Sequence, residues 1–167
     1  MRQKLRTLYI FVAFLALHGC SQPFQYAKEP MVWRLAPSEL QTVRIDKSSN
    51  LYKTGLRALQ NKQYNKSLAY FSEALKEDTV KPQALLGVAS SYSLLGQFQK
   101  ADQYFELYQE EFGTTVAYLN DHGFSFILRG DYLEAERLFL KASNRKPNSM
   151  TVKNNLMGVR KLQEASS

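Results

Sequence analysis

The stretch N-D-H-G-F-S-F-I-L-R-G-D-Y-L-E-A-E-R-L-F-L-K-A-S-N-R-K-P, residues 120–147, decides the fold. Gly123 and Phe126 fall on one helix. Gly130 and Tyr132 mark a tight turn. Ala135, Phe139 and Ala142 fall on a second helix, and Pro147 stops it, since the residue before a proline is pushed out of helical backbone. One period of 34 residues upstream, Gly130, Ala135 and Phe139 become Gly96, Ala101 and Phe105. A further period upstream they become Lys62, Ser67 and Phe71. The aromatic after the turn recurs as Tyr64, Phe98 and Tyr132. The small residue of the first helix recurs as Gly55, Ala89 and Gly123. Registers in phase with no insertion predict copies of one helix–turn–helix unit, stacked so that each buries its apolar face on its neighbours.

Small and aromatic residues at these offsets resemble the tetratricopeptide repeat (TPR). The resemblance implies an all-α fold, an α-solenoid of three TPR helix pairs plus a C-terminal capping helix. The repeats fall at residues 48–81, 82–115 and 116–149, and the capping helix and tail at 150–167. In the first repeat, helix A covers 50–61 and helix B covers 65–78. Tyr64, Leu68, Phe71 and Leu75 make one face of helix B, at steps of three and four. Gly55 costs about 1 kcal/mol against alanine in a helix interior, so close approach of the partner helix is expected there. Lys62 stands where the family has glycine and Thr79 where it has proline. In the second repeat Pro82 opens a helix, where its missing N–H is not needed. Tyr108 replaces a small residue and is expected to shift the next repeat. Gly113 replaces proline and is expected to end its helix as a left-handed cap. Val152, Leu156 and Val159 face inward on the capping helix, while Lys153, Arg160, Lys161 and Gln163 solvate it.

The composition fits a modest globular domain: 44% of the 167 residues are hydrophobic and 13% aromatic. The net charge is +7, of which Arg2, Lys4 and Arg6 carry three. No Lys/Arg run of useful length exists, so nucleic acid is not an expected partner. The single cysteine excludes an internal disulfide.

That cysteine closes a secretory pattern. Residues 1–7 are basic, residues 8–17 are wholly apolar, and His18, Gly19 and Cys20 follow. The apolar run is shorter than the roughly 20 residues a membrane-spanning helix needs. The ending L-H-G-C resembles a bacterial lipobox, which implies a signal peptide over 1–19 and a lipid on Cys20. His18 departs from the small residue of that pattern. An ordinary signal peptide with an incidental cysteine is the alternative. Each buried methylene contributes about 0.8 kcal/mol, so several acyl chains make attachment effectively permanent. Ser21, in place of aspartate, favours the outer membrane facing the periplasm, given a Gram-negative source. Residues 20–47, with Pro23, Pro30 and Pro37, read as an extended tether. Residues 31–35, around Trp33, are read as packing on the first repeat, with an exposed anchor as the alternative.

No nucleophile elbow, phosphate loop or metal-ligand spacing appears, so no enzyme, cofactor or metal is expected. His122 reads as a packed imidazole. The resemblance implies instead a concave groove along the helix A faces, at Tyr52, Leu56 and Leu59, at Leu86, Ser90 and Ser93, at Asn120, Phe124 and Ile127, and at Asn154. Apolar residues with amides suit an extended peptide or a partner helix. Asn120 and Asn154, one period apart, are expected to clamp a peptide backbone. The alternative is that several of these residues simply pack. TPR units behind a lipobox resemble the TadD family of tight-adherence (Tad/Flp) pilus lipoproteins and, with fewer repeats than usual, the pilotins of type IV pili. These imply protein partners, a secretin or other pilus subunits among them. A general envelope scaffold for cell-wall or outer-membrane protein assembly, or a regulatory subunit of a periplasmic enzyme, stays open.

Overall fold

The computed structural model describes residues 43–166, together with the backbone pairing of Phe11–Val12 (β1) and Phe24–Gln25 (β2). Apart from that pairing, the expected signal segment, Cys20, Trp33 and the tether up to residue 42 lie outside the described residues. Residues 43–166 are helical: α1 Leu51–Gln60, α2 Tyr64–Ala74, α3 Lys81–Leu94, α4 Phe98–Phe112, α5 Val116–Arg129, α6 Tyr132–Arg145 and α7 Met150–Ser166. Each odd-numbered helix packs antiparallel on the next, and the pairs stack in chain order. This is the expected α-solenoid.

Local chemistry places the helix ends. Asn50, Thr115 and Asp131 accept the amide hydrogens of Lys53, Tyr118 and Glu134 at the starts of α1, α5 and α6, leaving fewer orphan donors in each first turn. Pro82 sits in the first turn of α3. The turn within each pair is left-handed at one residue: Lys62 at φ 58°, Gly96 at 70° and Gly130 at 81°. Glycine carries no Cβ penalty there and lysine does. Lys62→Gly is therefore expected to stabilise the domain by about 1 kcal/mol, a rise of several degrees in Tm. A neutral or destabilising result in thermal unfolding would show that Lys62 makes a compensating contact.

Two helix ends differ from expectation. Helix α2 stops at Ala74 rather than at residue 78, and a 3-10 turn covers Asp78–Val80. The turn brings Val80 against Leu51, Tyr70, Ala74 and Ala84. Gly113 ends α4 at φ 71°, ψ −173°, a region open essentially to glycine alone and distinct from the left-handed cap expected.

The core is the periodic set. Phe71, Phe105 and Phe139 are fully buried, as are Ser67, Ala101 and Ala135. Phe71 lies between two glycines. A Cβ on Gly55 or on Gly87 would sit 2.8 or 2.7 Å from its ring. Gly123 meets Phe139 in the same way, at 2.8 Å. Hydroxyl pairs tie neighbouring repeats: Ser67 to Ser91 and Ser93 to Ser125, each at 2.8 Å. Tyr108 is buried against Tyr118 and Phe112, with its hydroxyl 2.9 Å from Thr115 Oγ1. The larger ring is thus taken up at the junction between α4 and α5.

Both ends of the array are covered. From Val43 on, the stretch expected as tether is packed. Val43 and Ile45 lie on the Leu51, Tyr70, Ala74 and Ala84 cluster, and the Asp46 amide donates to the Tyr70 hydroxyl at 3.1 Å. At the other end α7 buries Val152, Asn155, Gly158 and Val159. Arg160 and Gln163 both bind Glu136 on α6. The side of α7 turned away from the array carries Met150, Asn154, Met157 and Lys161, exposed at helical spacing.

Candidate functional site

The first helices of the pairs, α1, α3, α5 and α7, pack side by side, and their shared face is the one on which the groove is expected. Tyr52, Leu56 and Ile127 are half-buried on it. Leu59 and Phe124 are buried in one apolar cluster with Leu94, bordered by Tyr52, Leu56, Ile127 and Leu128. Leu86 is part of the core shared by α3, α4 and α5. Ser90 is buried. The Ser93 hydroxyl is held between the Ala89 carbonyl and Ser125. Leu86 and Ser93 are therefore structural members of the repeat stack.

The amides pair differently from expectation. Asn154 is exposed. Its neighbour Asn155 turns inward and donates to Asn120 Oδ1 at 2.7 Å, both side chains being 1% exposed. Asn120 Nδ2 in turn donates to Asp121 Oδ1 at 3.1 Å. A buried amide left unpaired is costly, so the facing amides bind each other. The pairing joins position 120 to 155 across the seam between α5 and α7 because a period counts residues along one face, whereas a seam joins two faces.

This amide chain ends on a carboxyl in an unusual state. Burial pushes Asp121 up to about 7, against the lowering effect of its bond from Asn120. No Lys or Arg among the described residues forms an ion pair with it. The Tyr52 phenol on α1 is raised by its own burial and, to a lesser degree, by the charge of Asp121. Four polar atoms along these helices are buried without a partner among the described residues: Tyr52 Oη, Gln83 Oε1, Asn155 Oδ1 and, on the α4 side of α5, Arg129 Nε. Each such atom costs about 1–3 kcal/mol while it stays unpaired. Sequence reading missed Gln83, Asp121 and Asn155, since all three lie off the repeat motif.

A second polar cluster lies between α4 and α5. Arg129 makes a two-pronged pair with Asp102, at 2.8 and 2.5 Å. It also donates to Ser125 and lies over the rings of Phe98 and Phe126. His122 stacks on Phe105 at 4.4 Å between ring centroids, with Nδ1 3.0 Å from the Tyr118 hydroxyl. Burial lowers its pKa to about 4, so the imidazole is neutral. Its surroundings are those of a packed ring. Among the described residues, no group of three His, Cys, Asp or Glu is placed to hold a metal ion.

No family model and no curated protein matches the sequence. Solved structures do match. The first TPR domain of human RPAP3 superposes with a TM-score of 0.57 at 16% identity, covering 69% of this chain and 91% of that one. The Sgt2 TPR domain from Aspergillus fumigatus gives 0.57 at 26% identity, covering 75% and 85%. The first TPR of Spaghetti (RPAP3), bound to the HSP90 peptide SRMEEVD, gives 0.56 at 18% identity, covering 70% and 94%. With its 34-residue period, left-handed turns and buried phenylalanine at each second helix, the described chain has the tetratricopeptide-repeat fold.

Proposed function

We propose that this protein is a binding scaffold, not an enzyme, whose helix-lined groove takes an extended segment of a partner protein. The observation that carries the reading is the set of unpartnered buried polar atoms, Tyr52 Oη, Gln83 Oε1 and Asn155 Oδ1, on helices that also carry the apolar cluster around Leu59 and Phe124. A bound backbone supplies the missing partners. A similar fold was solved with a peptide bound, the HSP90 peptide SRMEEVD, which supports use of this architecture for peptide capture. We further propose that lipid on Cys20 holds the scaffold at the outer membrane facing the periplasm. There it serves assembly or placement of a tight-adherence pilus or secretion complex, with the secretin as the first candidate partner. The basis is the L-H-G-C pattern, Ser21 and the repeat resemblance.

A crosslinked pull-down from native envelopes tests this, with Cys20→Ser and Leu56→Glu/Ile127→Glu forms alongside and helicity checked in each. Pilus or secretin subunits are expected with the unaltered protein. They should fall at least roughly tenfold with the groove variant, the loss of more than 1.4 kcal/mol of binding. They should be mislocalised with the Cys20 variant. Capture unaffected by the groove variant would remove the groove from the mechanism. Cell-wall or barrel-assembly proteins in place of pilus subunits would move the role to general envelope assembly.

A further inference from the structure

We infer that the groove selects a partner segment carrying a lysine or arginine, whose cationic head seats at Asp121 between α1, α5 and α7. This rests on the groove reading above and adds the chemistry of what is recognised. None of the groove positions Tyr52, Leu56, Leu59, Leu86, Ser90, Ser93, Asn120, Phe124 and Ile127 carries a charge. Asp121 is partly exposed next to Asn120 and close enough to the Tyr52 phenol to act on it, and it has no cation of its own among the described residues. Its single hydrogen bond in the structure comes from Asn120. A carboxylate offers about four acceptor sites, so most of its capacity is unused.

The orphaned atoms on the adjacent helices α3 and α7 are acceptors as well. Asn155 is 1% exposed, and its unpartnered atom is the carbonyl Oδ1, an acceptor. Gln83 Oε1 is also an acceptor. Tyr52 Oη can donate or accept. The remaining orphan, Arg129 Nε, is a donor, but it belongs to the Asp102 cluster between α4 and α5. On the side of Asn120 and Asn155 the orphans are therefore acceptors, with the Tyr52 hydroxyl able to serve as either. An ammonium brings three N–H donors and a guanidinium five, with no acceptor to clash. A peptide carboxylate brings acceptors only and faces a carboxyl, which is unfavourable on both counts. Apolar side chains flanking the cation would lie on Leu56, Phe124 and Ile127.

The electrostatics have a pH consequence. The groups that face Asp121 are Asn120 on its own helix, Asn155 on α7 through that amide, and the Tyr52 phenol on α1. Tyr52 is neutral across the neutral range, because its pKa is raised. His122, the next residue, turns to Asp102, Tyr118 and Phe105 on the other side of α5. Of these groups, Asp121 is the one that titrates near neutrality. Its ionised form attracts the cation, so affinity for a basic segment rises as pH goes from 6 to 8.

The test is selection of a random peptide library, displayed on phage, against the full-length protein. The same library is run on Asp121→Asn, Asp121→Lys and Leu56→Glu/Ile127→Glu, each confirmed as helical. The expected result is enrichment of Lys or Arg at a fixed distance from apolar residues. That enrichment should be lost with Asp121→Asn and turned to Asp or Glu with Asp121→Lys. A synthetic peptide from the selected set should bind roughly tenfold more weakly to Asp121→Asn, the scale of one charge-assisted contact. It should bind several-fold more tightly to the unaltered protein at pH 8 than at pH 6. Peptides that need Leu56 and Ile127 but show no basic preference would overturn the inference and leave the groove standing. No peptide sensitive to the Leu56 and Ile127 changes would overturn the groove and the inference together.

Discussion

Phe71→Ala is expected to cost about 3–5 kcal/mol, the range for emptying a fully buried phenylalanine site, which is a large share of the 5–15 kcal/mol that holds a typical domain. The ring is fully buried and touches three helices. It sits on α2, with Gly55 of α1 on one side and Gly87 of α3 on the other. These glycines have no side chains to swing into the vacancy, so the cavity persists and the upper end of the range applies. Chemical denaturation gives the free energy, and hydrogen exchange should show α1, α2 and α3 losing protection together. A loss below about 1 kcal/mol would mean that the ring is not the joint between the first two pairs. The reverse change, Gly87→Ala, should also destabilise, although alanine gains about 1 kcal/mol over glycine in a helix. The new methyl group meets the ring at 2.7 Å, and on the Gly55 side even an added Cβ would lie 2.8 Å from the same ring, so the ring has little room to retreat.

Arg129→Met is expected to cost about 2–3 kcal/mol, less than breaking a fully buried pair because Asp102 keeps a third of its side chain in water. The change keeps an apolar stem against Phe98 and Phe126 while removing the guanidinium from Asp102 and Ser125. A second readout separates this from simple loss of packing. The charge of Arg129 helps hold the His122 pKa down, and Asp102 raises it. With Arg129 gone, His122 should titrate higher, as followed by its imidazole resonances. The stability that comes from keeping His122 neutral is full above about 6.5 and is lost as pH falls towards 4, because the folded pKa lies below the unfolded one. The variant should lose less than the parent over that window. An unchanged His122 titration would show that the two residues are not electrostatically linked.

The repeat fold was legible because its rule is local and periodic. Phe71, Phe105 and Phe139 recur every 34 residues, and all three are fully buried. Gly55 and Gly123 read as points of close approach, and each meets a phenylalanine ring. What escaped notice lies between repeats. Gly87 does the same work as Gly55 but from the neighbouring pair, at an offset that the motif does not mark. Arg129 and Asp102 stand 27 residues apart, a separation set by packing of α5 on α4. The amide partner of Asn120 is Asn155 rather than Asn154 for the same reason. Of the groove residues, Tyr52, Leu56 and Ile127 keep part of their surface, while Leu86 and Ser93 are spent on the stack. Helical spacing gives a residue's direction but not whether a neighbour already covers it.

The placement of Phe71 between two glycines makes the repeats non-interchangeable. Position 87 is glycine, and the residue one period later is Asp121. A shortened chain lacking residues 82–115 would keep an unbroken motif, yet it would bring the Asp121 side chain to the place where even a bare methyl group lies 2.7 Å from the Phe71 ring. The second repeat is thus an adaptor with one face cut to fit the first pair and the other fitted to Tyr118 and His122 of the third. Exchange of whole units by recombination is closed to this array unless the joints travel with them.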